Sequence, residues 1–184
     1  MIGLLSTPAA GSQTVPDAHP LKQPPNPPLG AAVATLPPSA TDPVQFARRR
    51  LQLAGRAPLA AFARLAEADV AGIGDIDWSI RGETGPDELD RRREFLTVGL
   101  TFSPVMTCVR CLEPVTVGPL AVERRYRLAA SERQAEIEDR EAGEVDVIAA
   151  TPEIDLAGLL EDEAILALPM APAHEVCPAL PRET

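Results

Sequence analysis

Apolar residues recur along this chain with two periods, and the switch between them orders the predicted elements. Asp42 can cap a helix N-terminus with Pro43 at the first helical position. Phe46, Ala47, Arg50 and Leu51 continue at helical spacing to Gly55, a candidate C′ residue. A second helix is predicted from Pro58 to about Ala68, with Leu59, Phe62, Leu65 and Ala66 as its buried stripe. After Gly72 and Gly74 the period falls to two. Ile76, Trp78 and Ile80 alternate with Asp77, Ser79 and Arg81, and Gly82 to Asp90 reads as a turn. Leu96, Val98, Leu100 and Phe102 make a second strand. Leu120, Val122, Tyr126 and Leu128 make a third, with Glu123, Arg125 and Arg127 on its other face.

Ser131 to Glu144 lacks a usable apolar face and reads as a solvated loop or short helix, and Val145 to Ile148 can add an edge strand. The clearest helix follows: Asp155 caps it, Leu156, Leu159, Leu160, Ala164, Ala167 and Leu168 give its apolar face, and Pro169 ends it. The predicted fold class is α+β, an antiparallel β-sheet or partial barrel with two N-terminal helices and one C-terminal helix. It forms a single domain over residues 41–184. Residues 1–40 hold nine of the twenty prolines and almost no charge, and are expected to be a disordered Pro-rich tail.

Composition narrows the function. Hydrophobic residues are 45% and charged residues 24% of 184, enough for one ordinary core, and no apolar run reaches the roughly 18 residues that span a bilayer. A cytoplasmic protein without membrane contact is expected. Aromatics are 3%, which disfavours a general single-strand-binding sheet that stacks bases. The net charge of −10 is local in origin, because residues 131–184 carry 14 acids against 3 bases, while residues 42–130 are nearly balanced.

The three cysteines are Cys108, Cys111 and Cys177, an odd number that fits no disulfide framework. Cys108-Val-Arg-Cys111 lies between two predicted strands, the setting of a metal knuckle that aims two thiolates at one point. A redox pair needs its first Cys at a helix N-terminus. His174-Glu-Val-Cys177 has the same two-residue gap, and the four side chains complete a Cys3His set. With 62 residues between the pairs, the fold must bring tail to hairpin, so a structural Zn²⁺ would clip the C-terminus to the sheet.

Glu161, Asp162 and Glu163 on the last helix admit two readings. One is a solvated, partner-facing acidic face; the other is a Mg²⁺ or acid/base site, although successive helical residues point about 100° apart. Arg48, Arg49 and Arg50, Arg91 to Arg93, and Arg124, Arg125 and Arg127 are candidate phosphate contacts, or else an ion-paired surface. No Ser/His/Asp set and no Gly-rich phosphate loop is present, and no small-molecule substrate is expected.

Several segments together resemble one family. They are Asp42-Pro43-Val44-Gln45-Phe46-Ala47, Leu53-Ala54-Gly55, Ala63-Arg64-Leu65, Cys108-Val-Arg-Cys111-Leu-Glu-Pro114 and Ile154-Asp155-Leu156. Glu161 through Pro169 and Pro172-Ala-His174-Glu-Val-Cys177 complete the set. The chain resembles the YceD, or large ribosomal RNA subunit accumulation, proteins of bacteria and plastids over about residues 42–180. The resemblance implies a non-enzymatic role in synthesis, processing or stability of 23S rRNA, with the rRNA, its precursor or a large-subunit ribosomal protein as partner. It supplies no catalytic or RNA-contacting residues, and the zinc ligands rest on spacing alone. The competing expectation is a metal-dependent RNA-processing enzyme built on Glu161, Asp162 and Glu163.

Overall fold

The structure is a computed structural model that describes residues 35–141 and 145–178. Most of the expected Pro-rich tail lies outside these residues. Its last six are described, and there Thr35 N–H donates to the Arg56 carbonyl while the Trp78 indole N–H donates to the Thr35 carbonyl.

Helix α1 (Pro43–Arg48) starts as its sequence predicts, with Asp42 Oδ1 accepting from Gln45 N–H at 2.9 Å. It ends seven residues short of Gly55. Leu51 N–H donates to the Phe46 carbonyl and Arg50 N–H to the Ala47 carbonyl, the paired bonds of a Schellman motif. Arg50 occupies its left-handed C′ position at φ 52°. The residues released from the expected helix form strand β1 (Gln52–Pro58), and this corrects the two-helix N-terminal layer. Only Ala57 of β1 is buried, so no alternation marks it. Gly55 is required because the Trp78 ring lies where its Cβ would be. The second expected helix shrinks to a 3-10 turn over Leu59–Ala61 and helix α2 (Ala63–Glu67).

Strand β2 (Asp75–Pro86) runs through most of the expected turn, which tightens to Asp87–Arg91 before β3 (Arg92–Phe102). A short hairpin of β4 (Val105–Thr107) and β5 (Pro114–Thr116) follows, then β6 (Leu120–Ala129), helix α3 (Glu132–Glu141) and β7 (Asp146–Ala149). Helix α4 (Leu156–Leu166) is the last element. The main sheet has the order β1-β2-β3-β6-β7 and is antiparallel except for β6 and β7. These two are parallel because the chain crosses between them through α3 rather than by a tight turn.

One sheet face carries the main core. Ile76, Trp78 and Ile80 of β2, Leu96, Val98 and Leu100 of β3, and Tyr126 and Leu128 of β6 pack under Phe46 of α1, Leu65 of α2 and Leu156, Leu160 and Ala164 of α4. Helix α1 settles on β2 at Gly82, where any Cβ would lie 2.5 Å from the Phe46 carbonyl oxygen. The opposite face is covered in part by α3, through the small residues Ala129, Ala135 and Val147 and through buried charge. Arg127, expected on a solvated face, is 3% exposed. It donates to Glu88 at 2.8 Å and lies 3.3 Å from Glu138 Oε2, while Arg93 reaches Glu138 Oε1 at 3.0 Å. Asp87 accepts from the backbone of Leu89 and Arg91 and from the guanidinium groups of Arg91 and Arg93. Burial alone would raise the Asp87 carboxyl, but these donors outweigh it and hold the group well below the usual carboxylate range. Among the described residues no helix is long and apolar enough to cross a membrane.

Helix α3 is thus docked chiefly by one buried acid between two arginines. Replacing Arg127 with Met should destabilise the protein by about 1–3 kcal/mol, because Glu138 keeps Arg93 on Oε1 but loses the guanidinium beside Oε2. Adding Glu138→Leu should recover most of that loss. Urea unfolding of the single and double variants measures both effects.

Candidate metal centre

The Cys108–Cys111 segment forms the tip of the β4–β5 hairpin. Cys108 N–H donates to the Glu113 carbonyl and Leu112 N–H to the Cys108 carbonyl, and Leu112 takes the left-handed conformation that folds the turn back. Both cysteine sulfurs are thereby turned to one side. The segment after α4 is brought to them by its own backbone: Val109 N–H donates to the Pro172 carbonyl at 2.9 Å. His174 and Cys177 then complete the set that the spacing predicts, and their ligand atoms with those of Cys108 and Cys111 all lie within 4.8 Å of one another.

The individual contacts define the chemistry. Cys108 Sγ is 3.8 Å from Cys177 Sγ, too far for a disulfide, and Cys111 Sγ is 3.4 Å from His174 Nδ1. His174 Nε2 lies 3.1 Å from the Pro114 carbonyl oxygen. A carbonyl can only accept, so Nε2 carries the proton and Nδ1 presents its lone pair to the sulfurs. Burial alone would raise the Cys108 thiol, but the backbone N–H groups of Cys111, His174 and Arg110 outweigh it and pull the thiol down. Cys177 is pushed up by burial and by its hydrogen bonds to the other two sulfurs. Three sulfurs and one imidazole nitrogen, with Cys108 and Cys177 buried and Cys111 and His174 half-buried, could hold a metal ion.

The other candidate residues are not brought together. Glu161 Oε1 accepts from Arg64 N–H at 2.7 Å, capping the first turn of α2, and Asp162 pairs with the Arg64 guanidinium at 2.5 Å. Glu163 is 3% exposed and accepts the Tyr126 hydroxyl proton, with Arg124 Nε at 3.5 Å. Burial, and then the hydrogen bond to Glu163, push the Tyr126 phenol far above its ordinary range. The three carboxylates serve three partners, and among the described residues they form no metal-ligating group. The reading of Glu161 and Glu163 as a solvated, partner-facing surface is corrected too: both are buried and occupied within the fold. Their partners lie 97 and 37 residues away, and no local signal in the sequence points to them.

Of the arginine candidates, Arg48 pairs with Glu94 at 2.8 Å, Arg124 lies between Asp146 and Glu163, and Arg127 is buried. Arg125 pairs with Glu83 at 2.7 Å and stacks over the Phe95 ring at 3.8 Å. Arg49 and Arg50 are exposed at the end of α1.

Comparison with known proteins reaches the same region. A family model described as "Large ribosomal RNA subunit accumulation protein YceD" matches residues 96–184, a span that includes all four residues of the cluster. A curated relative of that name from Haemophilus influenzae is 31% identical over 145 residues, covering 74% of this chain and 75% of the relative. No solved structure matches the chain.

Because Glu163 draws its charge stabilisation from a single buried hydroxyl and one distant guanidinium, Tyr126→Phe should cost about 1–3 kcal/mol. Thermal or urea unfolding measures it. Tyr126→Phe combined with Glu163→Leu should be less damaging than Tyr126→Phe alone.

Proposed function

Because the chain belongs to the family of large ribosomal RNA subunit accumulation proteins, we propose that it is a non-enzymatic factor of large-subunit biogenesis. On this reading it acts in the cytoplasm and supports the synthesis, processing or stability of 23S rRNA. Family membership is the observation that carries the reading. The disposition of the charged side chains supports it: each acid of the Glu161-Asp162-Glu163 run has a partner within the fold, so no pair is free to position a hydrolytic metal.

The Cys3His cluster is read as a structural zinc site. Zn–S bonds near 2.3 Å put the sulfurs of a tetrahedron about 3.8 Å apart, and the Cys108–Cys177 separation is 3.8 Å. Cys108, Cys111, His174 Nδ1 and Cys177 would hold the ion, with the Pro114 carbonyl orienting the ring. Such a closed set leaves no position for water, and the ion would supply folding energy rather than Lewis-acid chemistry.

Two outcomes test these readings. Protein purified under reducing, chelator-free conditions should carry about one zinc per chain, and Cys108→Ser or Cys177→Ser should abolish it and expose residues 169–178 to proteolysis. Metal content well under one would remove the zinc reading. Depleting the protein in cells should lower 23S relative to 16S rRNA, the tagged full chain should co-sediment with large-subunit precursors, and purified protein with Mg²⁺ should not turn over precursor RNA. Mg²⁺-dependent turnover would instead establish the enzymatic alternative.

A further inference from the structure

Away from the metal centre, the end of α1 overhangs a length of sheet edge that has no strand beside it. Strand β1 begins at Gln52, opposite Arg81, and Gly82 N–H still donates to the Leu51 carbonyl, so among the described residues β2 continues from Glu83 to Pro86 with no strand on that side. Two hollows meet there at Arg50 and Thr84. One, of about 340 Å³, reaches Asp90 and Arg92, and the other, of about 290 Å³, reaches Gln52 and Arg81.

The charge in this groove is unlike that of the chain as a whole. Among the described residues neither Arg49 nor Arg50 has a carboxylate partner, and Arg92 donates to Thr84 Oγ1 at 3.1 Å without one. The acids nearby are mostly occupied: Glu83 is held by Arg125 and Glu94 by Arg48. Asp90 alone in the lining lacks an arginine. A chain of net charge −10 therefore keeps a local excess of unneutralised guanidinium groups in this groove.

Arg50 adds an independent observation. It sits at the left-handed C′ position of a Schellman motif, where glycine is the residue of lowest strain, yet it carries a long cation that makes no side-chain bond among the described residues. Glycine would fill the backbone role of Arg50 at lower strain, so the exposed guanidinium carried there instead is free for a ligand.

We propose that this groove binds the phosphodiester backbone of single-stranded or looped ribosomal RNA, with Arg50 and Arg92 on successive phosphates and Arg49 at its mouth. The assignment of RNA as ligand rests on the function proposed above; the location rests on the geometry. No aromatic ring lines the groove, so bases are not stacked, and recognition is of the backbone with little sequence preference and strong salt dependence.

The test is fluorescence anisotropy of the full chain with a labelled oligouridylate across a salt series. Arg50→Gly and Arg92→Gln should each weaken binding and lower the log–log salt slope by about 0.7. Arg133→Gln with Arg140→Gln, on exposed positions of α3, should leave it unchanged. Arg50→Gly should also leave the thermal midpoint equal or higher, since glycine suits the C′ conformation, which separates lost contact from misfolding. Wild-type binding by the Arg50→Gly and Arg92→Gln variants, or no binding by the wild type, overturns the proposal. In either case co-sedimentation with large-subunit precursors shows whether the broader function survives: retained association leaves it standing through a protein contact, and lost association removes both.

Discussion

Helix α4 must bury Glu161 and Glu163 together with Leu156, Leu160 and Ala164, and the elements around it are arranged so that both carboxylates meet donors. A buried acid without a donor costs more than most apolar contacts return. Glu161 takes the first-turn amide of α2, which fixes that five-residue helix although it is too short to be stable alone. Glu163 takes the Tyr126 hydroxyl and so registers α4 against β6. With α4 fixed at two points, the chain leaving it is delivered to the β4–β5 hairpin, where Pro172 and Val109 join backbones and the side chains of Cys108, Cys111, His174 and Cys177 converge.

The same logic explains what could be read from the sequence. Strands β2, β3 and β6 show their alternation because one of their faces belongs to the main core, and α4 shows its cap, stripe and terminating proline. The two cysteine-containing pairs are legible because ligand spacing is local even when the pairs are far apart. Strand β1 is not legible, since its residues are small or polar to let Trp78 lie across Gly55, and its separation from α1 depends on Arg50 adopting a conformation expected of glycine. The charged residues were misleading for a related reason. Charge is normally solvated, so nothing in the sequence marks Arg127, Glu138, Glu161 and Glu163 as interior; their burial is decided by partners dozens of residues away.

The two faces of the sheet differ in kind. The face under α1, α2 and α4 is apolar apart from Glu161, Glu163 and their donors, and its apolar part is tolerant of like-for-like exchange. The face under α3 is held by ion pairs whose geometry must be met on both sides, with Glu138 between Arg93 and Arg127 and Asp87 against Arg91 and Arg93. Internal pairing on this scale consumes most of the arginine that a basic segment would otherwise present. Among the described residues the end of α1 holds two of the arginines left without a carboxylate, Arg49 and Arg50, side by side.

The cluster of Cys108, Cys111, His174 and Cys177 draws its donors as two pairs with 62 residues between them, and β6, α3, β7 and α4 all lie in that interval. Either pair alone is a weak, two-donor chelate. If the cluster holds an ion, all four donors would be in place only once the elements between the pairs have brought the tail to the hairpin, so ion capture would work as a coincidence detector for completed folding. On that reading, loss of a buried partner along the interval would weaken ion uptake even where the sheet stays closed.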